Sequence, residues 1–379
     1  MLAYGALAAT TEQRARAMTP STSRSMGIRV FERLANINRE NNVIVSPRSL
    51  DTAFRLLYLG SSGRTRTELE GALGLKDEAI PNPVPAIAAA GVHFQSRSSI
   101  WTRANVLVLP AFLAAAKQCC QAESMPLPRE EAVMAINHWV ASATEGKIRE
   151  VVSSIGPDIS LILINAAYFR ATWTAPFDPE VTQPGAFSLM DGGTKTVPFM
   201  RRVAEFPYKH GANFDWIRIP YGDGRIVMDL LLPGRGDSPI NFLDTLLSIG
   251  DPQSPGAPAP AMGSLQLPRF AAESASGLNR VLSSLGLENL FKLGSADFSR
   301  LTSDPTALAV DEVRHSVALS VDESGTEAAA ATSITMVGAL PPPVQKFDLR
   351  VDHPFLLAIR DSQDGTVLFI ALIRDPTGH

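Results

Sequence analysis

Clusters of chemically reactive side chains are what this chain has least of. Its 379 residues hold two cysteines, Cys119 and Cys120, which are adjacent and so badly placed for an ordinary disulfide. They read as two structural thiols on a helix, and nothing in the cysteine content requires an oxidising compartment. The six histidines (His93, His138, His210, His315, His353 and His379) include no two at metal-ligand spacing. His-Glu-x-x-His, Cys-x-x-Cys and the phosphate-cradling Gly-x-x-x-x-Gly-Lys are all missing, so neither a metal nor a cofactor is expected. Gly60-Ser61-Ser62-Gly63 is too short for a nucleophile elbow and follows a helix rather than a strand. No catalytic residue stands out, and the expectation is a protein that is not an enzyme.

Charge of one sign is missing as well. With 34 Lys and Arg against 38 Asp and Glu, the formal charge is −4, and pairs such as Arg64/Arg66 and Arg201-Arg202 never grow into a basic block. Nucleic acid and anionic membrane are therefore not expected as partners. No apolar run approaches a bilayer span. The first 22 residues lack the basic start and long apolar core of a signal peptide. If a signal has been removed the protein is extracellular or periplasmic; if none existed it is cytoplasmic.

What is present is an ordinary globular composition, 45% hydrophobic and 19% charged. The length would allow two or three domains, but no linker separates them. The Pro-rich stretch from Pro252 to Pro260 reads as a surface loop. The expectation is a flexible tail over residues 1–22 followed by a single domain over 23–379.

Ile28, Phe31, Leu34 and Ala35 fall at helical spacing, and Val43-Ile44-Val45 is a short strand ended by Ser46-Pro47. Leu50 to Leu59 reads as a buried helix stopped by Gly60. Thr65 and Glu68 have the spacing of a capping box, with a helix to Leu73 after it. Residues 98–109 alternate as a strand, a helix from about Pro110 carries the cysteines, and Val133, Ile136 and Val140 mark a helix ending near Gly146. Ser160 to Phe169 is nearly continuously apolar, as a central strand covered on both faces would be. Further strands are expected at 214–219, 226–232, 263–270, 315–323, 347–350, 355–360 and 367–373. Helices come mainly first and strands later without a βαβ rhythm, which points to an α+β fold with mostly antiparallel sheets.

The most informative segment is Val321-Asp-Glu-Ser-Gly-Thr-Glu-Ala-Ala-Ala-Ala-Thr332. Its alanines favour helix in isolation, yet they lack an amphipathic period and precede Pro341-Pro342-Pro343. Two readings stand at this point. The segment is either a flexible surface loop or a loop whose side chains are small because it must enter a sheet packed on both sides.

Other segments, taken together, settle the resemblance. Asn42-Val-Ile-Val-Ser-Pro-Arg-Ser-Leu50, Leu57-Tyr-Leu-Gly60, Gly63-Arg-Thr-Arg-Thr-Glu-Leu69, Asn137-His-Trp-Val140 and Thr144-Glu-Gly-Lys-Ile148 occur in that order. Ile164-Asn-Ala-Ala-Tyr-Phe169, Trp173, Pro176-Phe-Asp-Pro179, Asp352-His-Pro-Phe355 and Val367-Leu-Phe369 follow. In this combination and order the chain resembles the serpin superfamily from about Ile28 to Pro376, as an inhibitory, prokaryote-like member.

The resemblance implies a serpin-like domain with a cluster of helices and an exposed reactive-centre loop at about 324–343. A target serine protease would cleave that loop, which would then insert as a new strand with the protease still attached, the strand-addition behaviour for which serpins are a standard example. Glu323, Gly325, Thr326, Glu327, Ala328, Ala329, Ala330, Ala331 and Thr332 would form its hinge. Strand side chains alternate, so Thr326, Ala328, Ala330 and Thr332 would share one face, and the charge of Glu327 would fall on the other. Counted along the family's spacing from Glu323, the cleaved bond would be Ala339–Leu340, with Met336–Val337 as the alternative. Ser46, Ser49, Asn165 and His315 map onto a polar network behind the main sheet. Arg269 and Glu323 map onto an ion pair at its top, expected to be a surface pair of little energy, and Trp173 maps nearby.

An alanine before the bond suits an elastase-like or subtilisin-like protease, whereas cleavage after Met336 would suit a chymotrypsin-like one. The stretch from Gly74 to Gln95 is short and carries only Lys76 as a cation, so no heparin-type cofactor is expected. Ala371-Leu372 departs from the family's more usual Gly-basic pair. The resemblance further implies a monomer. A non-inhibitory relative acting as carrier, chaperone or structural protein is the alternative within the fold.

Overall fold

A computed structural model describes residues 24–75, 87–128, 130–156, 158–252, 254, 258–303, 308–326 and 346–378. The chain opens with helix α1 (Met26–Ile37), strand β1 (Val43–Val45) and helices α2 (Pro47–Gly60) and α3 (Gly63–Leu73). Ser25 Oγ accepts the N–H of Ile28 at the start of α1. Pro47 starts α2, where a missing N–H costs nothing. Strand β2 (Val92–Arg103), helix α4 (Pro110–Cys120), strand β3 (Glu123–Leu127), helix α5 (Ala132–Ala143) and strand β4 (Leu161–Thr172) come next.

The second half is mostly strands: β5 (Gln183–Ser188), β6 (Thr194–His210), β7 (Phe214–Pro220), β8 (Ile226–Pro233), β9 (Pro260–Pro268) and β10 (Phe270–Gly277). Short helices α6 (Leu243–Ile249) and α7 (Asn279–Ser284) interrupt them. Strands β11 (Glu312–Val321), β12 (Gly325–Thr326), β13 (Phe347–Arg350), β14 (Phe355–Asp361) and β15 (Val367–Ile373) end the fold. No helix among the described residues is long and apolar enough to cross a membrane.

The strands form two sheets. A six-stranded sheet has the order β10-β11-β12-β4-β2-β3, with β11 also paired directly to β4. A nine-stranded sheet runs β1-β15-β14-β8-β7-β6-β9-β13 and carries β5 on β6. Most pairings are antiparallel; β4 with β11, β2 with β3 and β9 with β13 are parallel. One core, including Phe169, Phe187, Phe206 and Phe369, packs between the sheets, and a second gathers α1 to α4 around Phe31, Phe54 and Phe298. A third lies under α5, which seats Ile136, Trp139 and Val140 on Trp101, Ile162 and Ile164.

The expected central strand is β4, buried over almost its whole length. Four local expectations are corrected. Strand β2 ends at Arg103, because residues 104–109 turn into α4. The single strand expected over 263–270 is two, parted at Arg269 where the chain leaves one sheet for the other. Strand β11 starts three residues early and stops at Val321. The Thr65–Glu68 capping box does not form: α3 already begins at Gly63, and Thr65 Oγ1 accepts the N–H of Asp297 (2.9 Å) and Nδ2 of Asn289 (2.8 Å). Glu68 accepts the N–H of Asn289 at 3.2 Å. Tertiary partners have taken the groups a local cap would use.

Candidate functional site

The site lies where β4 and β11 part. The two strands pair in parallel from Ile162 with Glu312 up to Tyr168 with Ala318. Above that pair they diverge, and Gly325–Thr326 fills the gap, antiparallel to both neighbours. Thr326 stands opposite Val321 on one side and Ala171 on the other.

A tight turn delivers it. Asp322 Oδ1 accepts the N–H groups of Ser324 (2.8 Å) and Gly325 (3.2 Å) and the Ser324 hydroxyl (2.6 Å), as short acidic side chains do in turns. Gly325 has φ +150°, and a Cβ there would lie 2.0 Å from the carbonyl oxygen of Ala171, so this approach admits only glycine. Trp173 Nε1 donates to the carbonyl of Asp322 (2.9 Å), and its backbone N–H donates to that of Ser324 (3.0 Å).

Thr326 is fully buried, and its hydroxyl shares a 2.7 Å hydrogen bond with that of Tyr221. The Tyr221 ring stacks on Trp173 with centroids 4.3 Å apart and meets Phe169 edge-on at 5.4 Å. Burial pushes the Tyr221 phenol far above its ordinary range, so it stays neutral. The pocket under Thr326 therefore offers one hydroxyl among aromatic faces: room for a small polar side chain and nothing to pair a charge.

At the top of the sheet Glu323 accepts from Arg269 Nε at 2.7 Å and from the Thr182 hydroxyl, while its carbonyl accepts the N–H of Phe177 at 2.8 Å. This is not the surface pair expected, since the Glu323 side chain is only 8% exposed against 42% for Arg269. Desolvation pushes the Glu323 carboxyl upward, but the hydrogen bonds from Arg269 and Thr182 outweigh it and hold the group below its ordinary value.

Lower in the seam Asn165 of β4 lies directly opposite His315 of β11. His315 Nε2 accepts the N–H of Ser46 at 3.0 Å, which leaves Nδ1–H to donate to Asn165 Oδ1 at 2.7 Å. Ser49 donates to the same Asn165 oxygen at 3.0 Å, and the Ser46 hydroxyl donates to the carbonyl of Leu368 at 2.6 Å. Asn165 Nδ2 donates to Ser98 Oγ (3.0 Å), Arg97 O (3.2 Å) and Ser49 O (3.3 Å). Ser46, Ser49, Asn165 and His315 are fully buried. Burial pushes His315 down to about 3, so the imidazole is neutral at any ordinary pH, as this pattern of bonds requires.

The residues singled out in the sequence thus fall into two groups along one seam: Glu323, Gly325, Thr326, Trp173 and Arg269 at its top, and Ser46, Ser49, Asn165 and His315 at its centre. Glu327 to Thr332, and both bonds Ala339–Leu340 and Met336–Val337, lie outside the described residues. Sequence reasoning missed Tyr221, Thr182, Ser98 and Ser96, whose hydroxyl shares a 2.7 Å hydrogen bond with that of Ser49. Tyr221 left a signal, a lone aromatic at the turn between two strands; Ser96 and Ser98 left none beyond small polar residues on a strand. The vicinal thiols are buried at the end of α4, and no group of three or more metal-ligating residues occurs among the described residues.

Comparison with known proteins agrees with this geometry. The profile of the family described as serpin (serine protease inhibitor) matches residues 21–376. An uncharacterized serpin-like protein of Thermococcus kodakarensis is 29% identical, over 92% of this chain and 83% of its own. Plasminogen activator inhibitor 1 of Neovison vison is 28% identical over 99% and 97%. The native-state structure of tengpin, a thermophilic serpin, superposes with a TM-score of 0.81 at 26% identity, covering 93% of this chain and 92% of that one. The chain belongs to the serpin family.

Proposed function

We propose that this protein is an inhibitor of serine proteases and not itself an enzyme, acting as a suicide substrate. The protease cleaves the loop after Thr326, and the freed segment then continues down the seam as a full strand before the acyl-enzyme is hydrolysed. The observation that carries this reading is the placement of Gly325–Thr326, already paired with both β4 and β11 at the only point where those strands have parted among the described residues. The alanines that follow in sequence are small enough to take the same path. The Ser46, Ser49, Asn165 and His315 network would hold the seam shut until insertion passes it, and the Arg269–Glu323 pair would fix its upper end.

The cleaved bond is Ala339–Leu340, and the target is elastase-like or subtilisin-like. An alanine side chain suits a shallow specificity pocket and gives a trypsin-like aspartate nothing to bind. Leu340–Pro341 is a poorer substrate because proline removes an amide and restricts the backbone. The protein works as a single-domain monomer without cofactor or heparin-type activator.

Incubation with elastase, subtilisin, chymotrypsin and trypsin, read on a denaturing gel, tests the reading. A complex stable to detergent, with a released peptide beginning at Leu340 by mass spectrometry, is the expected result. A peptide beginning at Val337 moves the bond to Met336. Cleavage without any stable complex overturns inhibition in favour of a non-inhibitory role.

A further inference from the structure

Below the polar network, β4 and β11 are tied together a last time, and most of that tie comes from one residue. Asp311, just before β11, donates its N–H to the carbonyl of Leu161 at 2.8 Å. Its carboxylate oxygen Oδ2 accepts two successive amides at the foot of β4, Ser160 at 2.5 Å and Leu161 at 2.9 Å. The residue is anchored on its own side too. Its carbonyl accepts Asn279 Nδ2 at 2.6 Å, and Asn279 Oδ1 accepts the N–H of Val313 at 3.0 Å. Arg103 steadies the far side, its guanidinium donating to Ser160 Oγ (3.1 Å) and to the carbonyl of Asp158 (3.0 Å). A charged acceptor spanning two amides holds more firmly than a neutral ladder bond.

The register shows when an inserting strand would meet this clasp. Thr326 lies opposite Ala171 and Val321. Leu161 is ten residues before Ala171, and Asp311 is ten before Val321, so both lie on one rung of the seam. A strand continued from Thr326 in unbroken register reaches that rung ten residues later, at Met336. A segment ending at Thr335 fits above the clasp, whereas one ending at Ala339 must open it.

We propose that Asp311 is a positioning residue that sets the depth of insertion: the loop passes the polar network and enters as far as Thr335 with the clasp still closed, and the last residues enter only when the carboxylate releases Ser160 and Leu161. This rests on the insertion reading above, with Asp311 acting on the final stage of insertion and not on its start.

Synthetic peptides spanning Thr326–Thr335 and Thr326–Ala339 separate the two stages. Their rates of annealing to full-length protein can be followed by the rise in its thermal transition. In Asp311→Ala the long peptide should anneal about five- to tenfold faster than in wild type, with Asp311→Asn in between, while the short peptide is unchanged in all three. The asparagine variant keeps the side-chain shape and carries the comparison if the alanine variant does not fold. Acceleration of both peptides alike, or of neither, overturns the clasp and leaves insertion standing. If the short peptide fails to anneal even to wild type, the insertion reading falls and the clasp with it.

Discussion

The two sheets of this protein are made from different side chains at equal burial. In the nine-stranded sheet, the adjacent strands β14 and β15 present Leu356, Leu357, Ile359, Leu368, Phe369, Ile370, Leu372 and Ile373, all fully buried. At the centre of the six-stranded sheet, the facing pairs are Asn165 with His315, Ala166 with Ser316 and Ala167 with Val317, also buried. Large aliphatic groups remove much apolar area from water, at about 25 cal/mol per Å², and parting them would be costly. Small and polar groups bury little, and their hydrogen bonds can be exchanged for others. On the proposed insertion, one sheet would stay closed and the other would have the contents of its seam replaced.

The comparison can be broken most sharply by cutting the loop. A strand of about ten new ladder bonds, each worth about 0.5–1.5 kcal/mol net, would make the cleaved protein more stable by about 5–15 kcal/mol. Calorimetry of intact and cleaved protein should show the cleaved transition far higher. Thr326→Arg should remove both this gain and the detergent-stable complex, since the pocket of Tyr221, Trp173 and Phe169 cannot pair a charge. Matching transitions, or full inhibition by the variant, would refute the seam's role.

A cavity in the other sheet should behave differently. Leu357→Ala is expected to cost about 2–5 kcal/mol. Denaturant titration should find the same loss in intact and cleaved protein, because this sheet does not change between them. A loss confined to one form would erase the distinction between the sheets.

The seam should also be the acid-sensitive part. An unfolded His315 titrates near 6.5, while the buried one is pushed down to about 3. Between these values the unfolded chain binds a proton that the folded chain does not, so stability falls as the pH drops below 6.5. The expected loss is about 2 kcal/mol between pH 6.5 and pH 5, from about 1.4 kcal/mol per unit. His315→Gln should flatten that slope in a pH series of denaturant melts; an unchanged slope would place the acid sensitivity elsewhere. Smallest of all, Arg269→Ala should lower stability by about 1 kcal/mol, because Thr182 still partners the Glu323 carboxylate. Chemical denaturation at pH 7 can resolve it, and a loss of several kcal/mol would mean that Glu323 depends on Arg269 alone.

Much of the seam was legible in the sequence because its signals are local. The apolar run of β4, the segment from Asp322 to Thr326 and each of the short motifs taken singly lie within about a dozen positions. What stayed hidden depends on partners far along the chain. Thr326 meets Tyr221, and Asp311 meets Ser160, across more than a hundred residues in each case. The expected capping box failed for the same reason, as Thr65 and Glu68 serve residues 289 and 297 instead of each other. Strand β6 went unread because Pro198, Pro207 and its basic residues blur the alternation, although its pairing with β9 runs unbroken from Phe199 to Pro207. The strand break at Arg269 did leave a signal, Pro268 just before it, since a proline cannot continue the ladder of a central strand.

Strand direction carries one more consequence. β4 and β11 run the same way, and parallel pairs with their slanted bonds are slightly the weaker kind. Gly325–Thr326 runs against both. Each further residue that followed Thr326 downward would therefore trade one parallel pairing for two antiparallel ones. The number of ladders would grow by one, and the weaker geometry would vanish from the middle of the sheet. The push toward insertion would then come from the backbone alone, the same for every residue that fits, and the side chains would serve only to decide which residues fit.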